Sequence, residues 1–176
     1  MSMDLSPASR EAMTLSAPLR LVAGSLVIAL LLNLLPWGGW ALRVHPDFLL
    51  IMLLYWVAHE SRSIGQGWGF CLGLLMDVAN SVLLGQHALI YVVAIYLVQL
   101  LRLRILQLTV FEQALHIGVV LLLAQAIGVL LNLSLGRDFP GWGLWLAPVI
   151  GMLLWPVVGW LARLPMFQRR LGQMRR

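Results

Sequence analysis

The most informative stretch of this sequence covers residues 65–77 and reads GQGWGFCLGLLMD. Gly65, Gly69, Gly73 and Asp77 recur in it every four residues, so they form a slowly drifting stripe on one face of a helix. Small residues at this spacing let a second helix approach closely in lipid, where the hydrophobic effect does not drive helices together. The pattern predicts a packing face on a membrane helix over residues 64–84, near the centre of a bundle. The alternative is that glycine is simply commoner in membrane helices than in soluble ones.

Asp77 is an acid well inside an apolar run. A carboxylate there costs several kcal/mol unless it faces the bundle interior, pairs or reaches water. Three interpretations stay open: a proton or ion site, a hydrogen-bonded lock between helices, or a residue close enough to the outer interface to be wet. The lock is favoured because no second acid and no buried arginine stands at comparable depth. Candidate hydrogen-bond partners are the amides Asn33, Gln99, Gln125 and Asn132.

The composition extends this membrane interpretation to the whole chain. Apolar residues make up 61% and charged residues 11% of 176 residues, with a mean hydropathy of +0.89, against about 45–50% and about 25% in soluble domains. A soluble globular domain and most enzyme classes are therefore excluded. At about 20 residues per crossing, the chain holds about six transmembrane helices in one bundle, an all-α integral membrane protein without an extramembrane domain.

Six apolar runs define the predicted spans, which cover residues 21–35, 47–58, 64–84, 88–101, 110–135 and 145–164. The second rises only about 18 Å against a hydrocarbon core of about 30 Å, so it either extends or is re-entrant. Asp47, after Pro46, is predicted to begin its helix, and Pro156 to kink the last span. The predicted domains are a flexible cytoplasmic tail (1–20), the membrane domain (21–164) and a basic cytoplasmic tail (165–176).

The distribution of arginine predicts the orientation. All twelve basic residues are arginine, and six spans with a cytoplasmic N-terminus place ten inside and only Arg43 and Arg137 outside. A five-span arrangement gives nine and three, so the positive-inside rule favours six spans with both termini cytoplasmic. The charge is not gathered on a soluble face, which argues against a nucleic-acid partner. The predicted cytoplasmic anchors to anionic membrane lipid are Arg62, Arg102, Arg104, Arg163, Arg169, Arg170, Arg175 and Arg176.

The sequence offers no pattern for catalysis or metal binding. Its four histidines lie near predicted span ends without ligand spacing on one helix, and Cys71 is a lone cysteine. Phosphate-binding, zinc-protease and hydrolase motifs are absent from the sequence. We therefore expect no catalytic residues, no cofactor and no metal.

Several motifs together resemble the MreD family of bacterial rod-shape-determining membrane proteins, over nearly all of the chain from the first span to the last. They are Leu-Leu-Pro-Trp at 34–37, Arg43-x-x-Pro46-Asp47, the 65–77 stretch with Gly85 and Ala88-Leu89 beyond it, and Leu154-Trp155-Pro156. The resemblance implies a non-enzymatic inner-membrane scaffold of the elongation machinery. It also implies as partners an MreC-type membrane protein, the MreB cytoskeleton, and a RodA-type glycosyltransferase with its transpeptidase. The implied fold is similar to the substrate-binding subunits of energy-coupling-factor transporters.

Two other function classes compete with the scaffold. A small-molecule-binding subunit of a vitamin-type transporter predicts a polar pocket between helices at one face, for which Asp77, Asn33 and Asn132 are the candidates. A stand-alone carrier or channel usually has interrupted helices in two related halves, and no such pairing occurs in the sequence.

Overall fold

The computed structural model describes residues 19–39, 44–60, 64–139 and 141–174, with side chains up to residue 162. Within these ranges the secondary structure is helical and contains no strand. The α-helices of twelve residues or more are α1 (Leu19–Leu34), α2 (Phe48–His59), α3 (Gln66–Ala79), α4 (Gln86–Ile105), α5 (Val110–Ser134) and α6 (Leu146–Met174), and a 3-10 turn (Trp142–Trp145) precedes α6. The predicted all-helical class is confirmed.

Among the described residues, three helical stretches are long and apolar enough to cross a membrane: Gln86–Ile105, Val110–Ser134 and Trp142–Ala162. The helices α1 and α2 are apolar but shorter. The last stretch continues without a break through Pro156 to Met174. Among the predicted anchors, Arg163, Arg169 and Arg170 lie on α6, whereas Arg62, Arg175 and Arg176 lie outside the described residues.

The buried centre of the bundle is α2. Nine of its twelve residues are buried, including Trp56 and Tyr55, and it packs against α1, α4 and α6. In contrast, α3 packs mainly on α4 and exposes Phe70 and Val78. The prediction that the glycine-rich helix lies near the centre is therefore wrong. A helix that is apolar on every side becomes buried, whereas a helix with one small-residue face needs only one neighbour.

The helix α3 is shorter than predicted, because it ends at Ala79 rather than near residue 84. Beyond it Ser81 adopts a left-handed conformation with φ of 52°, and the Val82 N–H donates to the Asp77 carbonyl at 3.1 Å. The chain thus leaves the helix in a turn, although Val82, Leu83 and Leu84 are apolar enough to continue it. Apolar composition alone does not distinguish these two outcomes.

Polar contacts tie the central helix to its neighbours. As predicted, α2 begins after Asp47, whose side chain caps it by accepting from the Leu50 N–H at 2.9 Å. The Trp56 indole N–H donates to Ser25 Oγ on α1 at 2.8 Å. At the other end of α2, Arg102 Nε of α4 donates to the Ala58 carbonyl at 2.8 Å, where an orphan carbonyl needs a donor. Arg102, which is one of the predicted lipid anchors, therefore also makes a hydrogen bond within the protein.

Candidate functional site

The glycine stripe of α3 faces α4. At Gly73 an added Cβ would lie 2.6 Å from the backbone nitrogen of Ala88 and 2.8 Å from the carbonyl carbon of His87. At Gly69 it would collide with the free end of the Ile95 side chain, and at Gly65 it would lie an ordinary 3.6 Å from Gln99 Nε2. The two backbones therefore approach closest at Gly73, where the neighbouring atoms belong to the main chain and cannot rotate away.

Asp77 continues the same face one turn beyond Gly73 and is fully buried. Its Oδ2 accepts a hydrogen bond from the Gly85 N–H at 2.8 Å, and its Oδ1 accepts from the His87 N–H at 2.7 Å. His87 Nδ1 lies 2.9 Å from the same Oδ1 and donates in the tautomer that carries the proton there. Because α4 begins at Gln86, Asp77 binds the N-terminus of α4, where the helix dipole favours a negative charge.

The amides predicted as partners of Asp77 do not bind it. Gln99 lies beside Gly65 at the other end of the α3–α4 contact. Asn132 donates to the Gly128 carbonyl at 3.0 Å and accepts from Arg137 Nη1 at 3.1 Å. Gln125 lines a cavity, described below. The stripe and Asp77 therefore come together on α4, whereas Gln99 lies at the far end of that contact and Gln125 and Asn132 line the cavity.

Asn33, the remaining predicted partner, belongs to a second polar cluster around Asp47. Asp47 Oδ1 accepts from Asn33 Nδ2 at 2.7 Å, and Oδ2 accepts from the Tyr91 hydroxyl at 2.6 Å. Asn33 Oδ1 in turn accepts from the Phe48 N–H at 2.9 Å. This cluster joins α1, the start of α2 and α4. The hydrogen bonds of this cluster were not predicted from the sequence. The pattern that could have indicated them is a helix-capping acid together with a lone amide in the neighbouring apolar run.

A cavity of about 570 Å³ opens at this end of the bundle. It lies where α1 ends and where α2 and α4 begin, and the second half of α5 forms another wall. Its buried apolar lining includes Ile51, Ile90 and Leu121. Its polar lining includes Asn33, Asp47, Gln86, Gln125, Asn132 and Arg137. Two of the three residues that the sequence proposed for a pocket, Asn33 and Asn132, thus line this cavity, and Asp77 is not part of its lining.

Within the described ranges no group of three or more His, Cys, Asp or Glu side chains is placed to hold a metal ion. Cys71 is free and exposed. The polar chemistry around Asp77 and Asp47 consists of hydrogen bonds that join helices.

The family model described as rod shape-determining protein MreD matches residues 17–164, which include the glycine stripe, Asp77, Asp47 and the cavity. This chain belongs to the MreD family. A protein of Haemophilus influenzae (strain ATCC 51907 / DSM 11121 / KW20 / Rd) named rod shape-determining protein MreD is 32% identical over 137 residues, which cover 78% of this chain and 85% of that protein. These findings confirm the resemblance in the sequence. No solved structure matches the chain.

Membership of the MreD family implies a role in determining rod shape and places the apolar helices in a membrane protein. The match covers all the helices up to residue 164.

Proposed function

We propose that this chain is a non-enzymatic scaffold of the rod-elongation complex in the bacterial inner membrane. In this role it connects an MreC-type membrane protein, and through it the MreB cytoskeleton, with a RodA-type glycosyltransferase and its transpeptidase. The observation that carries the proposal is the family match over residues 17–164. The partners and the absence of enzymatic activity are inferred from the family resemblance.

The internal use of polar groups supports a structural role. Asp77 and Asp47 are each held by three hydrogen bonds from within the chain. A fully satisfied network of this kind makes the surrounding structure rigid, which suits a structural role. The exposed side chains of α1, α4, α5 and α6 are rich in leucine and valine, which suits contact with lipid and with other membrane helices.

The proposed arrangement has six membrane segments and cytoplasmic termini. It rests on the division of the arginines into ten inside and two outside, and on the position of Arg102 and Arg104 in the last turn of α4. The short α2 is compatible with it, because a segment surrounded by other helices does not have to match the lipid thickness by itself. The similarity to transporter substrate-binding subunits is proposed from the resemblance alone, and an experimental structure that does not superpose on such a subunit would remove it.

We predict that reporter fusions reveal this topology. A phosphatase that is active only outside the cytoplasm is expected to be inactive when it is fused after Arg176. It is expected to be active when it is inserted directly after Arg137, in the loop that contains Gly136 and Asp138. A fluorescent protein that folds only in the cytoplasm should give the opposite result at both sites. Phosphatase activity at Arg176 would contradict the proposed orientation.

We also predict that loss of the protein rounds rod-shaped cells. In a rod-shaped host depleted of its own MreD protein, expression of this chain should restore rods, and an affinity tag on it should co-purify an MreC-type protein. Depleted cells that stay rod-shaped would contradict the scaffold proposal. Co-purification of a transporter ATPase instead of an MreC-type protein would favour the transporter alternative.

A further inference from the structure

The cavity at the start of α2 and α4 has unused hydrogen-bonding groups on its walls. Gln86 is 7% exposed, and its Oε1 is buried without a hydrogen-bond partner. Gln125, on the α5 wall, makes no side-chain hydrogen bond to any described residue. Buried amides are normally satisfied, because an unmade hydrogen bond there costs about 1–3 kcal/mol. The buried Gln86 oxygen therefore needs a partner from outside this chain, and the half-buried Gln125 amide is available to the same partner.

The lining carries one carboxylate and one guanidinium, whose charges are of opposite sign. Asp47 accepts hydrogen bonds from Asn33, Leu50 and Tyr91. Arg137 is exposed and donates to Asn132. A charged ligand would lose its hydration inside the cavity and would meet one charge of each sign on the described walls, so the lining offers it no net electrostatic compensation. An uncharged ligand avoids that cost and can both donate to and accept from a side-chain amide.

We propose that this cavity binds an uncharged molecule that is rich in hydroxyl or amide groups and also has an apolar part, which contacts the apolar lining. The amides of Gln86 and Gln125 bind the polar part, and Ile51, Ile90 and Leu121 contact the apolar part. The volume of about 570 Å³ lies within the range of about 300–1,000 Å³ that is usual for small-molecule sites. A ligand at the junction of α1, α2, α4 and α5 adds a binding activity to the scaffold.

The test uses a diazirine-bearing octyl β-glucoside, whose uncharged sugar and short alkyl chain represent this chemistry. The full chain, in phosphatidylethanolamine–phosphatidylglycerol nanodiscs, is irradiated with the probe below its micelle-forming concentration, and the labelled peptides are identified by mass spectrometry. We expect labelling concentrated at the cavity walls, and we expect excess octyl β-glucoside to suppress it. Octyl phosphate and octyltrimethylammonium, which carry a charge on the same tail, should suppress it far less.

Matched amide variants show whether the polar wall is responsible. Gln125→Leu should lower saturable labelling about tenfold, since the loss of one or two hydrogen bonds changes affinity by about this factor. Gln99→Leu is the control, because it makes the same change beside Gly65, outside the cavity lining. Thermal unfolding of both variants shows that each is folded.

Competition by methyl β-glucoside separates two sources of such a ligand. Equal competition by methyl and octyl glucosides supports a water-soluble ligand, and competition by the octyl compound alone supports a lipid headgroup. Labelling spread over the lipid-facing helices without competition would overturn the proposal, as would stronger competition by either charged amphiphile. Equal loss of labelling in Gln125→Leu and Gln99→Leu would also overturn it. None of these results depends on cell shape, so the ligand site and the scaffold role stand or fall separately.

Discussion

The Gly73→Ala variant is expected to lose roughly 3 kcal/mol or more of stability and most of its folded protein in the membrane. The added methyl group would lie 2.6 Å from the Ala88 backbone nitrogen and 2.8 Å from the His87 carbonyl carbon. Overpacking a fixed site costs about 1–3 kcal/mol even where side chains move, and here the main chain of α4 itself must shift. Thermal unfolding of purified protein and its abundance in membranes measure the effect.

Two glycines of the same helix provide the matched controls. An added Cβ at Gly67 has no atom within 4 Å, so Gly67→Ala should be neutral or stabilise the helix by up to about 1 kcal/mol. Gly69→Ala should be intermediate, because the obstacle is the free end of the Ile95 side chain, which can change rotamer. If Gly73→Ala behaves like Gly67→Ala, the close approach of α3 and α4 does not support the fold.

The expected loss follows from how α3 is attached to the bundle. Its main neighbour is α4, and the two features that hold it there lie one helical turn apart, at Gly73 and Asp77. The first allows the backbones to touch, and the second binds the N-terminus of α4. Helices in lipid associate through dispersion between closely packed backbones and through buried hydrogen bonds. Disturbing either feature should therefore loosen the whole of α3.

Much of the helical framework could be predicted from the sequence, because each apolar run is bounded by strong signals. The cap at Asp47 marks the start of α2 where the structure begins it, whereas α4 begins at Gln86, two residues before the predicted span. The end of α3 could not be predicted in the same way. It depends on a carboxylate that binds backbone groups eight and ten residues further along the chain, and hydropathy contains no information about such a bond.

The polar contacts were harder to predict than the helices. The spacing of Gly69 and Gly73 indicated a packing face, but it did not identify α4 as the partner or Gly73 as the tighter position. Asn33 was assigned to Asp77, and in the structure it binds Asp47. The depth of a polar residue along its helix does not decide which acid it binds. The choice between two acids depends on which helices are neighbours. Tyr91, which completes the Asp47 cluster, is not distinguishable in sequence from a core aromatic residue.

Asp77→Asn is the variant for which the sequence and the structure lead to different expectations. The sequence favours a hydrogen-bonded lock, for which the nearly isosteric amide should keep most function. In the structure, however, both carboxylate oxygens accept backbone N–H groups, one from Gly85 and one from His87. An asparagine has a single acceptor oxygen, so its NH2 group must point at one of these donors.

We therefore expect Asp77→Asn to lose about 1–4 kcal/mol of stability and a corresponding part of its membrane abundance and partner co-purification. A buried donor left unsatisfied costs about 1–3 kcal/mol, and the lost negative charge at the N-terminus of α4 costs about 0.3–1 kcal/mol more. Asp77→Ala, which removes every acceptor, should be worse. Asp138→Asn is the control, because that carboxylate is exposed and its neutralisation should leave unfolding unchanged. An Asp77→Asn protein that is as stable and abundant as the parent, yet fails to maintain rod shape, would instead identify Asp77 as a proton or ion site, since only the charge would then be missing.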